Sequence, residues 1–100
     1  MTPELFSKEY KQYWDQLKSG DKVLVKSNRF FDNCSEATLR AGPSFISDMR
    51  KQCSELRTVK DPRKHEEDSC YIRFNFLEEG WTWCDVFCHR LIIRKHRLLL

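Results

Sequence analysis

Apolar and polar positions alternate most regularly between residues 70 and 76. There Cys70, Ile72, Phe74 and Phe76 face one way and Tyr71, Arg73 and Asn75 the other, the period of a half-buried strand. A shorter alternation at Lys22 to Lys26 puts Val23 and Val25 on one face and predicts a first strand. Near the N-terminus the period changes to that of a helix, with Phe6, Tyr10, Tyr13, Trp14 and Leu17 drawing one apolar stripe among Lys8, Glu9, Lys11, Asp15 and Lys18. Thr2-Pro3-Glu4 supplies a capping hydroxyl, a first-turn proline and an acid, and Ser19-Gly20 ends the helix.

Between these elements the text is less regular. Residues 27–43 read as a long excursion, Ser44 as the cap of a short helix carrying Phe45, Met49 and Cys53, and Leu56 to Lys60 as a second strand. Asp61 to Asp68 is a solvated, mixed-charge connection. Glu78-Glu79-Gly80 forms a turn before Trp81-Thr82-Trp83, whose two indoles share one side of the next strand. Asp85 caps a single helical turn through Phe87, and His89 to Arg94 forms a last strand. The order predicts an α+β fold, a small antiparallel SH3-like β-barrel with an N-terminal amphipathic helix and a short inserted helix. It is read as one domain, with the helix at 1–19, the barrel at 20–94 and a basic, apolar tail at 95–100.

One hundred residues suit a single core without a deep enclosed active site. With 40% hydrophobic and 33% charged residues and only three glycines and three prolines, the composition is that of a folded domain. No apolar run marks a signal peptide or membrane span, so a cytoplasmic protein with no membrane partner is expected. Five cysteines, an odd number, read as reduced thiols rather than a disulfide framework. The net charge of +3 is local: Arg90, Arg94, Lys95 and Arg97 stand in the last eleven residues without an acid, which leaves the remainder slightly negative.

The succession Gly20-Asp21-Lys22-Val23-Leu24-Val25, Phe45 and Met49, Cys53 before Leu56-Arg57-Thr58-Val59, and Gly80-Trp81-Thr82-Trp83 before Phe87 resembles small phage and prophage proteins with an SH3-like barrel. It covers roughly residues 19 to 92 and rests on the order and spacing of short motifs. Such proteins commonly carry a glycine after the cysteine that precedes the second strand, where this chain has Ser54. The resemblance implies a fold and a phage setting, and no catalytic residues. In that setting small proteins often bind and block a host protein.

Chemical signatures are sparse. Cys84-x-x-x-Cys88-His89, completed by Cys34, Cys53, Cys70 or His65, is the nearest approach to a zinc set, but two closely spaced pairs are absent. Cys88 and His89 adjoin on a strand and so point to opposite faces, against a catalytic dyad. The expectation is therefore a non-enzymatic protein without metal or cofactor. It recognises a protein partner, such as a host defence factor of the CRISPR-effector kind, through Arg29, Phe30, Arg40, Arg63 and Lys64. The alternative is a nucleic-acid module with Arg90, Arg94, Lys95 and Arg97 on phosphates and Trp81, Trp83 or Tyr71 stacking on bases. The aromatic stripe of the first helix is assigned to packing, and one or both of Phe30 and Phe31 to anchoring the loop on the core.

Overall fold

The computed structural model describes residues 7–33, 47–65 and 70–99. Chain order runs α1 (Lys8–Trp14), β1 (Lys22–Val25), α2 (Asn28–Asn33), a 3-10 helix at Ser47–Gln52, β2 (Leu56–Lys64), β3 (Ile72–Phe76), β4 (Thr82–Cys84), a 3-10 turn at Asp85–Phe87, β5 (Cys88–Arg94) and β6 (Arg97–Leu99). The strands form one six-stranded antiparallel sheet in the order β4-β3-β2-β1-β5-β6. This is a small α+β fold.

Strand β2 holds the sheet's two halves together. Leu56 to Thr58 pair with β1, whereas Val59 to Lys64 pair with β3. The change of partner is accompanied by a register shift between Lys60 and Arg63, with Asp61 at φ 52° and its N–H donated to Ser19 Oγ. A bulge of this kind bends a strand and gives Pro62, which has no N–H for the ladder, a tolerable position. The connection expected from Asp61 to Lys64 is therefore strand, and Glu66 to Asp68 lie outside the described residues.

The core forms where the apolar periods meet. Trp14 from α1, Val23 and Val25 from β1, Phe31 from α2, Met49, Val59, Phe74, Phe76, Trp83, Phe87 and Ile92 are all buried. Phe76 lies 4.8 Å from Trp83, Trp83 meets Phe87 edge-on at 6.1 Å, and Phe31 meets Phe87 at 5.6 Å. Tyr10, Tyr13, Trp14 and Leu17 of the expected stripe are buried, and Phe6 lies outside the described residues.

Several boundaries differ from the sequence reading. Helix α1 starts at Lys8, and Ser7 before it is the extended N-cap whose side-chain oxygen accepts the N–H of Tyr10. The start expected at Thr2 lies outside the described residues. The helix stops at Trp14, and Leu17 and Gly20 (φ 98°) belong to the connection to β1. Residues 28–33 of the excursion are helical, with Ser27 accepting the Phe30 N–H at the start and Phe31 buried on the inward face. Trp81 precedes β4 rather than opening it and is only partly buried, while Trp83 is fully buried. Asp85 does not cap its turn: Cys84 holds that position and makes no side-chain cap bond. Arg97–Leu99 is not a tail, because it pairs with β5.

Ser54 is exposed at φ 63°, the conformation that a glycine at this position would adopt without strain. Relief of that strain outweighs the extra chain entropy of glycine, so Ser54→Gly raises unfolding free energy by about 0.5–1 kcal/mol. Urea denaturation checks it. Trp83→Ala, which empties the centre of the aromatic cluster, costs about 3–5 kcal/mol in the same measurement.

Candidate binding surface

The five residues expected to grip a partner do not form one patch. Helix α2 follows β1 directly and is pinned by Arg50, whose guanidinium reaches Asn28 Oδ1 at 3.1 Å and Asp32 at 2.9 Å. On it Arg29 is exposed and Phe30 half-buried, with the Lys26 ammonium 4.2 Å from the Phe30 ring. Phe31 anchors the helix to the core, as expected. Arg40 lies outside the described residues. Arg63 and Lys64 sit at the far end of β2. Val25 N–H donates to Glu55 O at the near end, and the eight residues from there to Arg63 span about 25 Å of strand. Both cations are also engaged. Arg63 donates to Asn75 Oδ1 and to Asp61 O, and Lys64 lies 3.3 Å from Asp15, which accepts the Tyr71 hydroxyl.

The four basic residues near the C-terminus divide into two pairs. The Arg90 guanidinium lies over the Tyr10 and Tyr13 rings and donates to Glu9 O. Arg94 makes a two-pronged contact with Asp21, both oxygens at 2.8 Å, and donates to Gln16 O at 2.7 Å. These two hold α1 and the connection after it against β5. Lys95 and Arg97 are exposed and have no partner among the described residues.

Their position follows from the β5–β6 hairpin. Arg94 pairs with Arg97, leaving a two-residue turn in which Lys95 (φ 51°) and His96 (φ 67°) are both left-handed. That backbone matches the right-handed twist of the flanking strands, although Asn-Gly is its usual occupant. Tyr13 fixes the hairpin from beneath, accepting the N–H of Ile92 at 2.7 Å and donating to Leu99 O at 3.0 Å. Between the hairpin and the connection after α1 lies a groove of about 380 Å³ lined by Gln16, Arg94, Lys95, Arg97, Leu98 and Leu99. Leu98 is 50% exposed on its rim. Sequence reasoning placed the cations here but missed Gln16 as a wall, because only the Arg94 contact brings it across.

The aromatics proposed for base stacking are turned inward. Trp83 and Tyr71 are buried, and Trp81 packs against the core with its carbonyl accepting from Asn75. Cys88 is buried and His89 exposed, so the pair is split across the strand. Burial pushes the Cys88 thiol up, away from a reactive thiolate. His65, His89 and Cys53 join no cluster of possible ligands among the described residues. Cys70, Cys84 and Asp85 do, all buried, with their ligand atoms within 4.8 Å of one another. The set does not suit zinc. Its sulfurs stand 2.9 Å apart, whereas a tetrahedral ion with 2.3 Å bonds needs roughly 3.8 Å. The Asp85 oxygens are also occupied by Tyr10 Oη and the Tyr71 N–H.

No helix of the described residues is long and apolar enough to cross a membrane. Comparison of the chain with known protein families, curated proteins and solved structures finds no match in any of the three.

Burial pushes the Asp21 carboxyl up, but the hydrogen bonds from Arg94 and the Lys18 N–H outweigh it and hold the group below its usual value. The folded chain thus keeps Asp21 ionised at a lower pH than the unfolded chain does. Its stabilisation is present above the ordinary carboxylate range and is lost as pH falls through the folded value. Arg94→Ala therefore lowers Tm at neutral pH, and the gap to the parent closes on acidification, as thermal melts across pH will show.

Proposed function

We propose that this chain is a non-enzymatic, protein-binding module on an SH3-like barrel, and that the β5–β6 groove takes an acidic segment carrying an apolar side chain. The observation behind it is the pair Lys95 and Arg97, cations without a described partner, framing half-exposed Leu98 on a hairpin held rigidly by Tyr13 and Arg94. A fixed apolar contact with free charges on its rim favours an acidic partner in both affinity and encounter rate. Support for the barrel comes from β2 serving both halves of the sheet and from the 3-10 turn between β4 and β5. Left-handed Ser54, at the site where the phage proteins carry glycine, supports the resemblance. On that resemblance the partner is a host protein, and a defence factor such as a CRISPR effector is the first class to examine.

Nucleic acid is the weaker reading. Arg90 and Arg94 are committed within the fold and Trp83 and Tyr71 are inside it, which leaves two cations and few stacking surfaces.

An array of acidic, leucine-containing peptides, with a host-lysate pull-down beside it, tests the groove. Lys95→Glu with Arg97→Glu reduces binding by about tenfold or more, since two rim charges are reversed, while Tm stays close to the parent's. Unchanged binding by that variant would remove the groove from the interface. A complex with DNA or RNA at low salt that weakens steeply as salt is raised would replace the protein reading by the nucleic-acid one.

A further inference from the structure

We propose that Cys70 and Cys84 are an oxidisable pair that closes to an intramolecular disulfide when a hydroperoxide reaches it, so that the pairing of β3 with β4 becomes covalently fixed. The two Sγ atoms are 2.9 Å apart between residues 14 positions apart in sequence, and both side chains are buried. A disulfide bond is about 2.05 Å long, so closure requires less than an ångström of approach. A contact between their neighbours, from the Tyr71 N–H to the Asp85 side chain, also brings the two segments together, with both carboxylate oxygens at 3.1 Å. Further along, Arg73 pairs with Cys84 and Phe74 with Trp83.

The chemistry is self-contained apart from the oxidant. One sulfur gives an electron pair to the O–O bond of hydrogen peroxide, becoming a sulfenic acid as one water leaves. The second sulfur attacks the sulfenic sulfur, the S–S bond forms, and the hydroxyl leaves with the second thiol's proton as another water. Two thiols and one peroxide yield one disulfide and two waters. A neighbouring thiol within contact distance intercepts the sulfenic acid before further oxidation. Burial, followed by the contact with Cys70, pushes the Cys84 thiol up. Thiolate is consequently scarce at neutral pH, and the reaction is slow and speeds up as pH rises. Cys53, Cys70, Cys84 and Cys88 are free thiols, the last three buried, and the proposed oxidation joins only Cys70 and Cys84.

Peptide mapping of the full chain under non-reducing conditions, after hydrogen peroxide and quenching, gives the primary readout. The expected product is a Cys70–Cys84 cross-linked peptide lacking two hydrogens and restored by dithiothreitol. Closing this loop raises Tm by about 10 °C, a rise that reductant reverses and that Cys88→Ala retains. Cys70→Ala removes the peroxide-dependent rise. If that variant fails to fold, the parent's peptide map still decides. Uncross-linked sulfinic acid at Cys84, an unmodified pair, a bridge to Cys34, Cys53 or Cys88, or stoichiometric zinc in the purified protein would each overturn the proposal.

Discussion

A buried carboxylate, Asp85, sets the arrangement on which the rest of the structure depends. It is 1% exposed and accepts a 2.5 Å hydrogen bond from the Tyr10 hydroxyl and the N–H of Tyr71. These contacts bring together α1, the approach to β3 and the turn between β4 and β5, three segments far apart in sequence. Burying such a group is unfavourable unless its oxygens are satisfied, so docking of the helix is required rather than incidental. Burial pushes the Asp85 carboxyl above its usual value, and the hydrogen bonds from Tyr10, Tyr71, Ile72 and Val86 oppose that only in part. The Tyr10 hydroxyl is pushed up by burial and by Asp85 together, and stays protonated as a donor.

A second carboxylate, Asp21, has the opposite balance. There the Arg94 fork compensates burial and the group is held below its usual value. Over the carboxylate range the folded chain binds a proton more readily than the unfolded one at Asp85 and less readily at Asp21. Rising pH therefore weakens the fold through the first and strengthens it through the second. The two act at different joints. Asp85 seats the N-terminal half of α1 on the core, whereas Asp21 and Arg94 hold the chain after α1 against the strand that presents the groove.

The parts of this fold legible in the sequence are those that a single local period determines. Val23 with Val25, the run from Cys70 to Phe76 and the stripe Tyr10, Tyr13, Trp14, Leu17 all bury the side chains that their spacing selects. Elements decided by distant partners were not legible. Asp61-Pro62-Arg63-Lys64 has the composition of a loop, and is strand because a bulge lets it pair with β3. Arg97-Leu98-Leu99 is too short to show a period, and is strand because β5 offers it a ladder. The groove depends on both Arg94–Gln16 and Tyr13–Leu99, contacts between residues more than 75 positions apart, so no local motif announces it. Asp85 before a short turn reads as a cap, and nothing nearby in sequence indicates that its partners are Tyr10 and Tyr71.

The distribution of strain bears on what the hairpin is for. Four non-glycine residues among those described have left-handed backbone: Ser54, Asp61, Lys95 and His96. At Ser54 and Asp61 the conformation is accompanied by backbone hydrogen bonds, to Val25 O from Ser54 N–H and to Ser19 Oγ from Asp61 N–H, that tie the sheet to its connections. The Lys95-His96 turn is different. Each residue there carries an unfavourable conformation costing roughly 1–2 kcal/mol, and both side chains stand in solvent. Asn-Gly would close the same ladder with less strain, so backbone geometry does not account for these residue types. What Lys95 contributes, together with Arg97 after the turn, is a positive charge with no partner among the described residues, lining the same groove as Leu98. Under the proposed reading, a backbone held in this strained geometry before contact would lose little further freedom on binding, which is the physical advantage of a preorganised surface.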